Sequence, residues 1–190
     1  MQSVWKLKGE KIHSRSIEVS TYEYDEQRII VEGFLKDDRF QDTRLLTGET
    51  FPRGAIHHMR LRLLINCSTF VIEDIDVGLL TVPREFCRET VECLAPIKGL
   101  TITRGFTAKV KKLAGGNKGC THLLELLQAI APAVFQGIAA RQSRGSGVDA
   151  HQAKLVVKYL TNTCHAWRED GPFVEIFKKM DNVNPLKGEK

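Results

Sequence analysis

Up to about residue 83 the apolar positions tend to alternate with polar ones, and beyond it they recur at helical spacing. Ile17-Glu18-Val19-Ser20-Thr21-Tyr22-Glu23-Tyr24 and Arg28-Ile29-Ile30-Val31-Glu32-Gly33-Phe34-Leu35 read as two strands about a polar Asp25-Glu26-Gln27 turn. His13 and Arg15 extend the face of the first strand. Residues 36–54 are polar and read as a long loop, with Asp37-Asp38-Arg39 as a chain turn. Residues 58–65 and 70–77 read as an antiparallel pair around Asn66-Cys67-Ser68. Strand alternation turns His57, Met59 and Leu61 inward and His58, Arg60 and Arg62 outward.

After Pro83 the pattern predicts a short helix opened by Pro83-Arg84-Glu85, then a basic segment from Phe106 to Leu113 ended by Gly115-Gly116-Asn117-Lys118-Gly119. The longest helical pattern runs from Cys120 to Arg141, with Leu123, Leu126, Leu127, Ile130, Val134 and Ile138 in one stripe. Pro132 is expected to kink or split it. A flexible break follows at residues 144–147, then a helix over residues 149–163. The fold class expected is α+β: one domain over residues 1–190, β-rich at 11–82, mainly helical at 84–178, with a flexible tail at 180–190. An antiparallel sheet should pack against the long helix and additional helices.

Composition changes this picture in three ways. The 190 residues carry a net charge of +5, unevenly spread. Residues 1–100 hold 14 Lys/Arg against 16 Asp/Glu, and residues 101–190 hold 14 against 7. A basic C-terminal half suits an anionic partner. With two Trp and three Tyr and no reading motif, nucleic acid is the weaker candidate. The five cysteines are odd in number, widely spaced and without a Cys-x-x-Cys pair, which fits reduced thiols. No apolar run approaches the ~18 residues of a membrane span, and the start lacks the apolar core of a secretory signal. These features lead us to expect a cytoplasmic protein without a membrane partner; a homo-oligomer is left open.

The strongest local chemical signal is the glycine turn that delivers Cys120 to the start of the long helix. Unpaired N–H groups and the helix dipole there favour a thiolate, and Lys118 should add to the effect. His122 and Glu125 share a helix face, so the carboxylate could orient the imidazole. The loop lacks the Lys-Ser/Thr of a phosphate-binding loop. Taken singly, a buried small thiol under a glycine turn is the blander account of Cys120, and a core histidine that of His57.

The order of the motifs adds to this. His13-Ser14-Arg15, Glu32-Gly33-x-Leu35-x-Asp37, Gly54-x-x-His57-x-Met59-x-Leu61-Arg62-Leu63, Pro83-x-x-x-Cys87, Leu100-x-Ile102-x-x-Gly105-Phe106 and Gly119-Cys120-Thr121-His122-Leu123-x-Glu125-Leu126 resemble a bacterial family, the domain of unknown function 2889. Cys164-His165-Ala166-Trp167 with Asp170-Gly171 resembles its C-terminal motif. The resemblance implies that His13, Arg15, Asp37, His57, Cys87, Cys120, His122, Glu125 and Cys164 are motif positions, which a site explains more readily than packing. It brings no activity with it.

We therefore expect a small enzyme with a Cys/His-centred site acting on an anionic small molecule. Cys120, His122, His57 and Glu125 are the candidate catalytic residues, and Arg15, His13, Asp37 and Arg62 the candidates for holding substrate. His57, Cys120 and His122 could instead ligate zinc or another divalent metal with an open position, Cys87 or His13 adding a contact. A non-catalytic metal- or ligand-binding accessory protein and a nucleic-acid-binding regulator are the alternatives.

Overall fold

A computed structural model describes residues 4–142, 144, 154 and 157–183. Four long strands form one antiparallel sheet in the order β1 (His13–Glu23), β2 (Arg28–Arg39), β5 (Gly54–Asn66) and β6 (Ile72–Thr81). Two short strands, β3 (Thr43–Arg44) and β4 (Thr50–Phe51), make a separate hairpin. Three α-helices are described over their full range, α1 (Phe106–Ala114), α2 (Thr121–Gln142) and α3 (Pro172–Val183). The architecture is α+β, with the antiparallel sheet in the N-terminal half and the helices in the C-terminal half.

The sheet buries one face, set by the period-two pattern. In β2 the inward positions are Ile29, Val31, Gly33, Leu35 and Asp37, and in β5 they are Met59, Leu61, Leu63 and Ile65. α2 lies across this face through Leu123, Leu126, Leu127, Ile130, Val134 and Ile138. Burying six such side chains, at ~1.5–3 kcal/mol each, makes this a large stabilising contact. By length and composition α2 could cross a membrane, but its apolar stripe is covered by the sheet. At its far end Arg141 donates to the carbonyls of Arg28 (3.1 Å) and Glu26 (2.8 Å), tying the helix to the β1–β2 hairpin.

Several expectations need correction. Residues 36–54 are not one loop: β2 continues to Arg39, the β3–β4 hairpin follows, and β5 starts at Gly54. Polarity misled here because Asp37 faces inward with partners. The short helix expected after Pro83 is present as a 3-10 helix, Glu85–Thr90, and a second follows at Ala95–Ile97. α2 is not split at Pro132. Residues 157–160 are helical, whereas the start of the helix expected there, most of the break at 144–147 and the tail at 184–190 lie outside the described residues. Residues 180–183, assigned to the tail, belong to α3.

Candidate active site

The register of the sheet builds the site. Arg15 of β1 stands opposite Asp37 of β2, and Asp37 stands opposite His57 of β5, so three polar residues occupy one row across three strands. A bulge follows: Asp37 pairs with His57 but Asp38 pairs with Ala55, leaving Ile56 without a cross-strand partner. The row lies at the end of the buried face where α2 begins. There the glycine turn brings in Cys120, His122 and Glu125. A Cβ on Gly119 would sit 2.6 Å from the Ala114 carbonyl oxygen and 2.9 Å from Cys93 Sγ, so only glycine lets the chain pass this close.

Asp37 is the hub. It is the one buried charged residue among those described, 1% exposed. Arg15 grips it bidentately, Nε to Oδ1 at 2.7 Å and Nη2 to Oδ2 at 2.7 Å. His57 Nδ1 lies 2.9 Å from Oδ2, and His13 Nε2 3.3 Å from Oδ1. Burial alone would push the Asp37 carboxyl up. The Arg15 hydrogen bonds and charge, with His57, outweigh it and hold the group at about 2. Burial depresses the His57 imidazole below its ordinary value despite Asp37, which keeps it neutral near pH 7. With its Nδ1 proton directed at Asp37, its Nε2 lone pair is left free.

The His122 ring lies against that of His57, tilted by 31° with centroids 3.9 Å apart. Its two nitrogens face different partners. Nε2 is 3.7 Å from Asp37 Oδ2, and Nδ1 is 3.8 Å from Cys120 Sγ. The imidazole therefore has the thiol on one nitrogen and the carboxylate on the other. Cys120 occupies the position just before the first turn of α2, and its carbonyl accepts the Leu124 N–H at 3.0 Å. Burial raises its thiol, but His122 and the N–H groups of Leu123 and His122 outweigh that and leave it below the ordinary cysteine value. Cys67 and Cys93, by contrast, are pushed up by burial.

Of the residues singled out from sequence, the structure gathers His13, Arg15, Asp37, His57, Cys120, His122 and Glu125 into this cluster. Four assignments change. Arg62 lies on the opposite sheet face, donating to Asp76 at 2.9 Å, and cannot serve this site. Glu125 does not orient His122; it pairs with Arg15, and Asp37 faces the imidazole instead. Lys118 turns away and donates to the Lys112 carbonyl at 2.9 Å. Among the described residues, the side chains able to converge on one cation are Asp37, His57 and His122, with ligand atoms within 4.8 Å of one another, so Asp37 replaces Cys120 in the donor set. Cys87 is outside that set, and exposed Cys164 precedes Trp167, which stacks on Phe173 and Phe177 of α3. Arg39, whose charge acts on His57, escaped the sequence reading because it sat in the supposed loop.

These residues fall within one matched span. The family described as "Protein of unknown function (DUF2889)" matches residues 13–136, about two thirds of the chain. The chain belongs to this family. The matched span carries every residue of the cluster and stops within α2, so the Cys164-His165-Ala166-Trp167 segment lies beyond it. No curated protein and no solved structure shows significant similarity to the chain.

Proposed function

We propose that this member of the DUF2889 family is a small enzyme using Cys120 as a nucleophile, with His122 as its base and Asp37 as the orienting carboxylate, on a small anionic substrate. The observation that carries the reading is the position of the His122 ring between Cys120 Sγ and Asp37 Oδ2. The chemistry follows from that order. With its proton on Nε2, towards Asp37, His122 offers the Nδ1 lone pair to the thiol. Sγ gives its proton to Nδ1 and its electron pair to an electrophilic carbon. The bond to the leaving group breaks, and that group departs with the proton from Nδ1. Water, deprotonated in turn by His122, releases the product and restores the thiol. Arg15 is held by Asp37 and Glu125, so its part is to position the carboxylate. Five free thiols fit a reducing compartment, so we place the protein in the cytoplasm.

Competitive alkylation tests this. At near-neutral pH Cys120 should label faster than exposed Cys164, with Cys67 and Cys93 slowest. His122→Gln should slow Cys120 at least ~10-fold and move its pH profile upward. Labelling of Cys120 no faster than Cys164, or an unshifted profile in the variant, would defeat the proposal.

A second reading has its own observation: Asp37, His57 and His122 form a two-His-one-carboxylate donor set suited to zinc or another divalent metal. We rank it second because both Asp37 oxygens already accept charge-assisted bonds from Arg15, and a cation there would sit against a guanidinium. Elemental analysis of protein purified without chelator separates the readings. A stoichiometric metal retained by the native chain and lost in His57→Gln would reverse the ranking.

A further inference from the structure

A cavity of about 200 Å³ is lined by His57 but by no other member of the cluster around Asp37. Three elements wall it. The β3–β4 hairpin supplies Phe51 and the adjoining Leu45, the β5 bulge supplies Ile56 and His57, and the turn after β6 supplies Pro83 and Arg84. Arg39, from the end of β2, completes the lining. The bulge is what lets consecutive residues Ile56 and His57 reach one cavity, which plain alternation forbids.

The charges there do not balance. Arg84 is satisfied: it donates to Glu49 Oε2 at 2.5 Å and to the Pro83 carbonyl at 3.2 Å, with its guanidinium 4.6 Å from the Phe51 ring centre. Arg39 is not. Its Nη1 is shielded from solvent and has no hydrogen-bond partner among the described residues, while its guanidinium stands 5.8 Å from the same ring. Guanidinium cannot shed its charge, and no carboxylate among the described residues pairs with Arg39, so the guanidinium lining the cavity favours an anion supplied there. With Arg84 offset by Glu49, the one uncompensated positive charge is that of Arg39, which matches a monoanion. The remaining lining, Leu45, Phe51, Ile56 and Pro83, is apolar. A cavity slightly larger than one that holds benzene takes a ligand of about ten heavy atoms.

We propose that this cavity is a binding site for a small aromatic or branched-aliphatic monocarboxylate, its carboxylate on Arg39 and its apolar body against Phe51. The proposal stands apart from the nucleophilic reading, because neither Cys120 nor His122 lines the cavity.

Benzoate is the probe, titrated into the full-length chain while the His57 ring signals are followed by NMR. Saturable shifts are expected, with a dissociation constant on the order of 1 mM or tighter for so few heavy atoms. Arg39→Gln should weaken binding at least ~10-fold, and benzamide should bind the native chain weaker by a similar factor. Leu45→Trp, which fills the cavity from the hairpin and leaves Arg39 in place, should also abolish the shifts. No saturable response up to ~20 mM benzoate, or equal affinity in Arg39→Gln, would overturn the proposal. Cys120 alkylation, read on the same samples, needs no cavity. Benzoate binding with slow Cys120 labelling removes the nucleophilic reading alone, and fast labelling without benzoate binding removes this one alone.

Discussion

Asp37→Asn should cost the fold about 3 kcal/mol, the largest loss expected from any single isosteric change in the cluster. The amide fits the space but not the bonding. One carboxylate oxygen becomes an NH2 group, and both Asp37 oxygens now accept from Arg15 at 2.7 Å. Whichever way the amide turns, it presents donors to a guanidinium that has only donors. His57 can relieve its own conflict by changing tautomer; Arg15 cannot. Removing one partner of a buried pair costs ~3–5 kcal/mol, and the lower figure applies because Arg15 is 32% exposed. The pH dependence gives an independent check. The folded carboxyl sits at about 2, against ~4 in the unfolded chain. Between those values the unfolded chain binds the extra proton. Asp37 therefore contributes its full stabilisation above pH ~4 and loses it as pH falls towards ~2, about 2 kcal/mol in all. Urea midpoints by circular dichroism at pH 7 and pH 3 should converge between native chain and variant. A loss below ~1 kcal/mol at pH 7, with an unchanged acid limb, would mean that Asp37 is not the hub described.

How far the sequence revealed this is instructive at Asp37 itself. The core-facing series Ile29, Val31, Gly33, Leu35 runs on to Asp37 without a break in period, so its inward orientation was legible. Reading the charged triplet Asp37-Asp38-Arg39 as a turn hid it, because a polar run normally marks solvent and only partners across the sheet permit burial. The sheet and α2 were legible since both rest on periodicity, which the residues carry locally. The pairing of Arg15 with Asp37, and of Asp37 with His57, was not: register across strands depends on turns and on a bulge that no local pattern announces. Cys120 was found from its glycine turn. Its relation to Asp37 required the crossing of α2 over β2, a long-range fact.

That crossing is set by a glycine, which leads to the second large effect. Gly33 lies at the centre of β2 beneath α2, and a Cβ built on it would stand 2.8 Å from Ile130 Cδ1 and 2.9 Å from Leu126 Cδ1. Its backbone is ordinary strand, so alanine is not barred by conformation and should gain ~0.5–1 kcal/mol from the unfolded state. Packing decides against it. Leu126 and Ile130 are both fully buried, so their tips can yield only by displacing close-packed neighbours. Gly33→Ala should lose about 1–2 kcal/mol net, and Gly33→Val, with two further carbons, about 3. Ile130→Val alone should cost ~0.5–1.5 kcal/mol by leaving a small void. Combined with Gly33→Ala it removes the nearest clashing atom, so the double variant should lose about 1 kcal/mol less than the two single losses together. The effect should also reach the site. His122, Leu126 and Ile130 are spaced four apart on one helix face, so lifting α2 at Gly33 widens the 3.7 Å gap between His122 and Asp37. Cys120 alkylation in Gly33→Val should slow towards the rate of Cys164 while far-ultraviolet circular dichroism keeps its native shape. A neutral or stabilising Gly33→Ala, or strictly additive losses in the double variant, would show that Gly33 does not set the approach of helix to sheet.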